Sequence, residues 1–245
     1  MALIACVYNP SNEYSSDYLN VFSNVFKKFH SDKKLVCFTE KKNYKHLPKN
    51  VQLIPLEYTN SWSKGWFSKL ELFRPDINED ILYTDLDNII LKPLDPFFSL
   101  DGNRPAMIKD LDPRQQRLQS AIMWIPCASS EKKLVWESFV KNKVESPLER
   151  VKRADKYGDA AIIRDTLNRD NTMVIQEVLG KNAVISFHIH YKRAAKTEEE
   201  RRKMAKEAYV VCFHGKNRKP FDYRTNSLVI ENFVKYLSLQ KKDEQ

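Results

Sequence analysis

The sequence predicts an α/β fold with a mostly parallel central sheet flanked by helices, and three observations carry that expectation. Short β-prone runs recur along the chain, amphipathic helical patterns fall between many of them, and no internal repeat or long Pro/Gly/Ser linker breaks the alternation. Strands that alternate with helices are joined by crossovers, which set neighbouring strands parallel. The 245 residues are roughly 1.6 times a common domain of ~150. The chain is read as one domain over 1–238, followed by a charged tail at 239–245 that frays.

The elements follow in order. A buried strand is expected at 3–8, an apolar run closed by Asn9-Pro10. Tyr18, Phe22, Val25, Phe26 and Phe29 recur at i, i+3, i+4 spacing and predict a helix packed on the sheet. Strands at 34–39 and 51–56 come next, then a helix marked by Trp66, Leu70 and Phe73. Further strands are expected at 81–84, 88–91, 105–109, 121–125, 173–175, 183–187 and 209–213. Residues 141–156 are charged without clear periodicity and read as a surface excursion. Thr197 followed by Glu200 forms a capping box that opens a charged, solvated helix to about Glu207. Val229, Phe233, Val234 and Leu237 mark a last amphipathic helix.

Composition narrows the possible functions. Hydrophobic residues at 42% and charged ones at 30% fit a folded globular chain. No apolar stretch reaches the ~18–20 residues of a membrane span, and the apolar N-terminal run is too short for a secretory signal. Cys6, Cys37, Cys127 and Cys212 stand singly, so neither a zinc ribbon nor a thioredoxin-like pair is expected. Asn9-Pro10-Ser11 is blocked as a glycosylation acceptor by its proline. Reduced thiols in a cytoplasmic or cytosol-facing protein are the expectation. The net charge of +9 favours anionic partners: phosphate-bearing small molecules, nucleic acid or an anionic membrane surface. No nucleic-acid module accompanies the basic stretch at 216–219. Peripheral membrane contact stays open, without any visible anchor.

The chemistry concentrates where a strand runs into two carboxylates, Ile81-Leu82-Tyr83-Thr84-Asp85-Leu86-Asp87, and an apolar strand resumes at once. Side chains alternate along a strand, so Asp85 and Asp87 turn to the same side. Two like charges at the end of a buried strand are costly unless a cation joins them. Oxygen donors alone suit a hard divalent ion such as Mg²⁺ or Mn²⁺. Open α/β sheets bind ligands beyond the carboxyl ends of their strands, where this pair would lie. A second copy, Asp110-Leu111-Asp112, is followed by Pro113 and reads as a turn, with Asp110 alone able to face a pocket. His188 and His190 read as a polar face of a strand, and Trp62 and Trp66 as core or as stacking platforms.

Two resemblances compete for the first pair. Asp85-Leu86-Asp87-Asn88 is similar to the motif of haloacid-dehalogenase-like phosphatases, with Gly158, Asp159 and Asp165 as a loose downstream match. That motif normally ends the first strand of its domain, and here about eighty residues precede it. The chain also resembles GT-A type nucleotide-sugar glycosyltransferases of the glycogenin and bacterial galactosyltransferase group, in five elements that occur in order. They are the helix Gly65-Trp66-Phe67-Ser68-Lys69 and onward to Arg74-Pro75, the Asp85/Asp87 strand, Ser120-Ala121-Ile122-Met123-Trp124, Gly158-Asp159, and Val211-Cys212-Phe213-His214-Gly215-Lys216 with Lys219-Pro220.

The second resemblance implies a metal-dependent transfer of a sugar from a UDP-sugar to a glycan or protein-linked glycan, with Mn²⁺ preferred over Mg²⁺. It implies that Asp85 touches ribose and metal, that Asp87 binds the metal, and that His214 is the third protein ligand. Gly215 and Lys216 would lie against the diphosphate, the lysine balancing charge as the sugar bond breaks. Tyr8 and Asn9 would hold the base, Lys69 would reach the phosphates, and Asp159 would face the sugar or the acceptor hydroxyl. Two departures stand out: Ala160 replaces the family's glutamine after Gly-Asp, and Phe221 replaces the usual tryptophan.

Overall fold

Successive residues of β1 (Leu3–Val7) turn to opposite faces of a sheet, and both faces are covered. Leu3 and Ala5 enter one apolar cluster, while Ile4 and Cys6 enter another. Strands buried on both faces read as continuous apolar runs rather than alternating ones, which is why the strand signals are so clear. The computed structural model describes residues 2–9, 14–57, 65–100, 102–145, 159–214, 218–222 and 229–231.

α1 (Asp17–Phe29) begins with Asp17 in its first turn and ends with Lys27 and Lys28 in its last, both favourable to the helix dipole. Its Tyr18, Phe22, Val25 and Phe26 are buried, as their spacing predicts. β2 (Lys34–Thr39) pairs parallel with β1, setting Cys6 beside Cys37, and β3 (Val51–Pro55) pairs parallel with β2. β3 lies at the sheet edge and ends on a proline, a residue that sheet interiors exclude. The segment Gly65–Phe73, expected to be a helix, is wound as a 3₁₀ helix.

The chain then returns to the other side of β1 with β4 (Ile81–Thr84), parallel to it. This reversal of strand order between β1 and β4 is the topological switch point where open α/β sheets take ligands. β5 (Ile89–Ile90), α2 (Asp95–Phe98), β6 (Ala106–Lys109) and β7 (Leu118–Ile125) follow, with β7 antiparallel to both β4 and β6. α3 (Ser130–Glu145) takes up the first residues of the stretch expected to be a surface excursion, so 141–145 are helical; 146–156 lie outside the described residues. After α4 (Asp159–Thr166), β8 (Met173–Val174) closes the sheet beside β6, giving the order β3-β2-β1-β4-β7-β6-β8. α1 packs on one face. The 3₁₀ segment, with α3 and α4, covers the other.

A second, three-stranded sheet was not expected. α5 (Ile175–Leu179) leads to β9 (Val184–Ser186), and β10 (Val210–Cys212) inserts between β9 and β5, antiparallel to β5. Between them runs a π-helix, Phe187–Ala194, so His188 and His190 do not share a strand face. α6 (Glu198–Glu207) follows, with the capping box of Thr197 and Glu200 formed as expected. Val229 and Ile230 are buried in a short helical stretch, while Phe233, Val234, Leu237 and the tail 239–245 lie outside the described residues. Cys6, Cys37 and Cys212 are buried free thiols and Cys127 is an exposed one. Among the described residues no helix is long and apolar enough to cross a membrane.

Candidate active site

The end of β4 delivers Asp85 beside the switch point, and a tight turn brings Asp87 after it. The Asp85 amide donates to the Ala121 carbonyl of β7 at 2.9 Å, and the Asn88 side-chain amide donates to the same carbonyl at 2.7 Å. The turn is thereby tied to the neighbouring strand. Asn88 Oδ1, one residue beyond Asp87, is buried without a hydrogen-bond partner among the described residues.

Asp85 belongs to a cluster on the face covered by the 3₁₀ segment. Lys69 Nζ lies 2.9 Å from Asp85 Oδ1 and 3.3 Å from Asp159 Oδ2, and it also donates to the Ser120 hydroxyl and carbonyl. The Ser120 hydroxyl donates to Asp159 at 3.2 Å, and the Tyr83 hydroxyl donates to Asp85 Oδ1. Asp159 is the first residue of α4, where a carboxylate complements the helix dipole. Burial pulls the Lys69 ammonium down, yet the charges of Asp159 and Asp85 outweigh it and hold its pKa above the ordinary lysine value.

Asp87 is held from the opposite side. Lys219 Nζ sits 2.6 Å from its Oδ2, the Tyr14 hydroxyl donates to the same oxygen at 2.9 Å, and Lys219 also donates to that hydroxyl at 2.8 Å. Burial pushes the Asp87 carboxyl up, and the Asp85 charge adds to the push against the pull of Lys219. Burial, with the aspartate charges behind it, also raises Tyr14 and Tyr83, so both phenols remain donors at neutral pH. Together, two ammonium groups face three carboxylates, which leaves the cluster one net negative charge.

The remaining expected site residues fall around this cluster. Tyr8 and Asn9 follow β1 directly across the switch point; Tyr8 is buried, with its ring edge-on to His46 at 6.4 Å. His214 follows β10, whose pairing with β5 carries it toward the same end of the molecule. Cys212, two residues earlier, is pushed up by burial and then by the charges of Asp85 and Asp87. The His214 ring itself is joined to Ser186 Oγ at 2.7 Å and packs edge-on against His188, with burial lowering its pKa. Among the described residues no three His, Cys, Asp or Glu side chains gather into a metal-holding group. Gly215, Lys216, Gly158 and Trp62 lie outside the described residues.

The chemistry of the pair still fits a hard divalent ion. The donors are all oxygen and adjacent, and among the described residues the hydrogen bonds and ion pairs to the Asp85 carboxylate fall on Oδ1 and those to the Asp87 carboxylate on Oδ2. These contacts leave Asp85 Oδ2 and Asp87 Oδ1 for a ligand. Tyr14 escaped the sequence reading altogether, while Tyr83, Ser120 and Lys219 stood within its motifs without a role of their own. Lys219 was visible in its Lys-Pro pair, but nothing local connects it to an aspartate 132 residues away.

The sheet order, the switch point between β1 and β4, and the carboxylates beyond it define the GT-A fold of nucleotide-sugar glycosyltransferases. Solved structures share it across nearly the whole chain. The galactosyltransferase LgtC, solved with donor and acceptor sugar analogues, superposes with a TM-score of 0.65 at 14% identity, covering 98% of this chain and 96% of its own. The glycosyltransferase GlyE of Streptococcus pneumoniae TIGR4 gives 0.64 at 15% identity, with 99% of this chain and 63% of that one. The bifunctional glycosyltransferase WbbM gives 0.62 at 11% identity, so this chain corresponds to 51% of it. No protein-family model matches the sequence, and no curated protein matches it. At such identities the likeness is one of fold.

Proposed function

We propose that this protein is a metal-dependent glycosyltransferase that moves a sugar from a UDP-sugar to a hydroxyl of a glycan or protein-linked glycan. The observation that carries the reading is the Asp85/Asp87 pair at the switch point, each carboxylate held through one oxygen by a lysine and a tyrosine. The GT-A fold supports it.

A divalent ion bound there, Mn²⁺ or Mg²⁺, supplies Lewis-acid stabilisation of the charge that grows on the leaving diphosphate. Asp85 and Asp87 hold it, and His214 is assigned as the third ligand by its place after β10. Asp85 also meets the ribose, and Tyr8 and Asn9 take the base side of the switch point. Gly215 and Lys216 are assigned to the diphosphate, where the lysine meets charge as it develops. Lys69 holds Asp85 and Asp159 at a fixed spacing while its ammonium faces the phosphates. Asp159 is oriented by Ser120 and Lys69 toward the sugar or the acceptor hydroxyl. The reduced thiols and the membrane reading are consistent with work in the cytoplasm or on a cytosol-facing surface.

The charge balance gives this reading a quantitative edge. A divalent cation alone turns the cluster's single net negative charge into a net positive one, whereas a cation with a doubly negative diphosphate adds no net charge. Metal and nucleotide therefore bind together and each raises the other's affinity by the same factor. The test is release of UDP from a panel of UDP-hexoses with a glycan acceptor, with Mn²⁺ and with chelator. Mn²⁺-dependent release that disappears in Asp87→Ala and falls comparably in His214→Ala is expected. Hydrolysis of an aryl phosphate, lost in Asp85→Asn and indifferent to His214→Ala, would point to the phosphatase chemistry instead.

A further inference from the structure

We infer that Tyr14 and Tyr83 are positioning residues that aim Asp87 and Asp85 at one shared divalent cation, each by occupying a single carboxylate oxygen. The inference rests on the reading of the two aspartates as cation ligands given above.

The two aspartates are held by clamps of the same construction, assembled from unrelated parts of the chain. On Asp85 Oδ1 the Tyr83 hydroxyl and the Lys69 ammonium converge; on Asp87 Oδ2 the Tyr14 hydroxyl and the Lys219 ammonium do so. In each clamp the ammonium also lies near the ring of its tyrosine, 5.2 Å from the Tyr83 centroid and 4.8 Å from that of Tyr14. Tyr83 is fully buried on β4, and Tyr14 packs against Tyr18 of α1, with ring centroids 5.4 Å apart. Both phenols are therefore anchored by the core rather than by the aspartates.

A carboxylate bonded twice through one oxygen cannot turn about its Cβ–Cγ bond without breaking two charge-assisted contacts. The oxygens that remain, Asp85 Oδ2 and Asp87 Oδ1, are thus held in fixed directions before any ligand arrives. A lysine alone, a flexible point charge, does not fix direction in this way. The planar, core-anchored phenol does. Removing such an outer partner of a metal ligand typically lowers metal affinity ~10–100-fold.

The experiment is Mn²⁺ binding by electron paramagnetic resonance, at saturating UDP, in the wild type, Tyr14→Phe, Tyr83→Phe and Asp87→Ala. Phenylalanine keeps each ring and its packing, and a thermal melt of every variant accompanies the titration. Tyr14→Phe is expected to weaken Mn²⁺ about 10-fold or more and to broaden the bound-Mn²⁺ spectrum, with its melting temperature unchanged. Tyr83→Phe behaves alike. Should the buried Tyr83→Phe variant unfold, Tyr14→Phe decides alone. Affinity within two-fold of wild type in Tyr14→Phe, with binding lost in Asp87→Ala, overturns the positioning role and leaves the metal reading intact. A wild type that binds no Mn²⁺ overturns both.

Discussion

The chain holds two Asp-x-Asp pairs, and their surroundings are opposite. Among the described residues, the hydrogen bonds to the Asp110 and Asp112 carboxylates come from within seven residues along the chain. Asp110 accepts the Asp112 amide at 3.0 Å and Arg117 Nε at 2.8 Å, while Arg114 grips Asp112 through its own amide, Nε and Nη2. Those hydrogen bonds to Arg114 hold the Asp112 carboxyl down to a pKa of about 2. This pair is a turn secured by its own arginines, as the proline at 113 suggests. Asp87 instead draws Tyr14 and Lys219 from 73 and 132 residues away. Remote partners must be ordered against chain entropy, so a fold that gathers them concentrates charge where local sequence never would. The same three-residue motif closes a turn in one place and joins distant parts of the chain in the other.

The sharpest way to break this comparison is to remove one carboxylate from each pair. Asp87→Ala should lower Mn²⁺-dependent UDP affinity more than ~100-fold, beyond the upper range for loss of a ligand's outer partner. Asp112→Ala should leave it unchanged, by calorimetry under the same conditions. Equal losses would erase the distinction between the pairs.

Lys69→Met leaves Asp85 and Asp159 facing each other with their shared cation gone. The side chains of Lys69 and Asp159 are only 12% and 11% exposed, and removing one partner of such a buried pair destabilises by about 3 kcal/mol. The urea midpoint should fall accordingly. Arg114→Ala, which removes an exposed cation from Asp112, should not move it.

Ala160, half-buried in the first turn of α4 next to Asp159, offers a finer probe. Ala160→Gln should change turnover or donor choice while UDP affinity stays within a few-fold. A large loss of UDP binding would place residue 160 elsewhere than beside the sugar.

The smallest effect is one of pH, at the C-terminal end of α1. His30 Nε2 accepts the Leu94 amide hydrogen at 2.7 Å, and burial holds its pKa below 6.5. Below 6.5 the unfolded chain binds the proton that the folded chain refuses, so this contribution is complete above that value and is lost as pH falls. Melting temperature should decline from pH 7 to pH 5, and His30→Gln should flatten the decline.

Much of this architecture was legible in the sequence. The strands announced themselves because both faces of the central sheet are buried, and α1 because its aromatics keep helical spacing. Asp85, Asp87, Lys69 and Asp159 were legible as a set through the ordered motifs around them, and the structure brings Lys69, Asp85 and Asp159 together. What stayed hidden were contacts made only by tertiary folding. Nothing in Tyr14, Ser120 or Lys219 marks its partner, since the pairs are assembled by sheet order rather than by spacing. His188 and His190 read as one strand face because their alternation imitates a period of two, whereas Phe187–Ala194 is a π-helix. The short strands β5, β9 and β10 were seen singly, but their assembly into a second sheet requires a pairing across about 120 residues.

The most direct test of the central claim is calorimetric titration of UDP into the purified protein, with Mn²⁺ and again with excess chelator. The account predicts binding that requires Mn²⁺, survives in Asp112→Ala and disappears in Asp87→Ala. Binding of equal strength in chelator, or none in either condition, would contradict it.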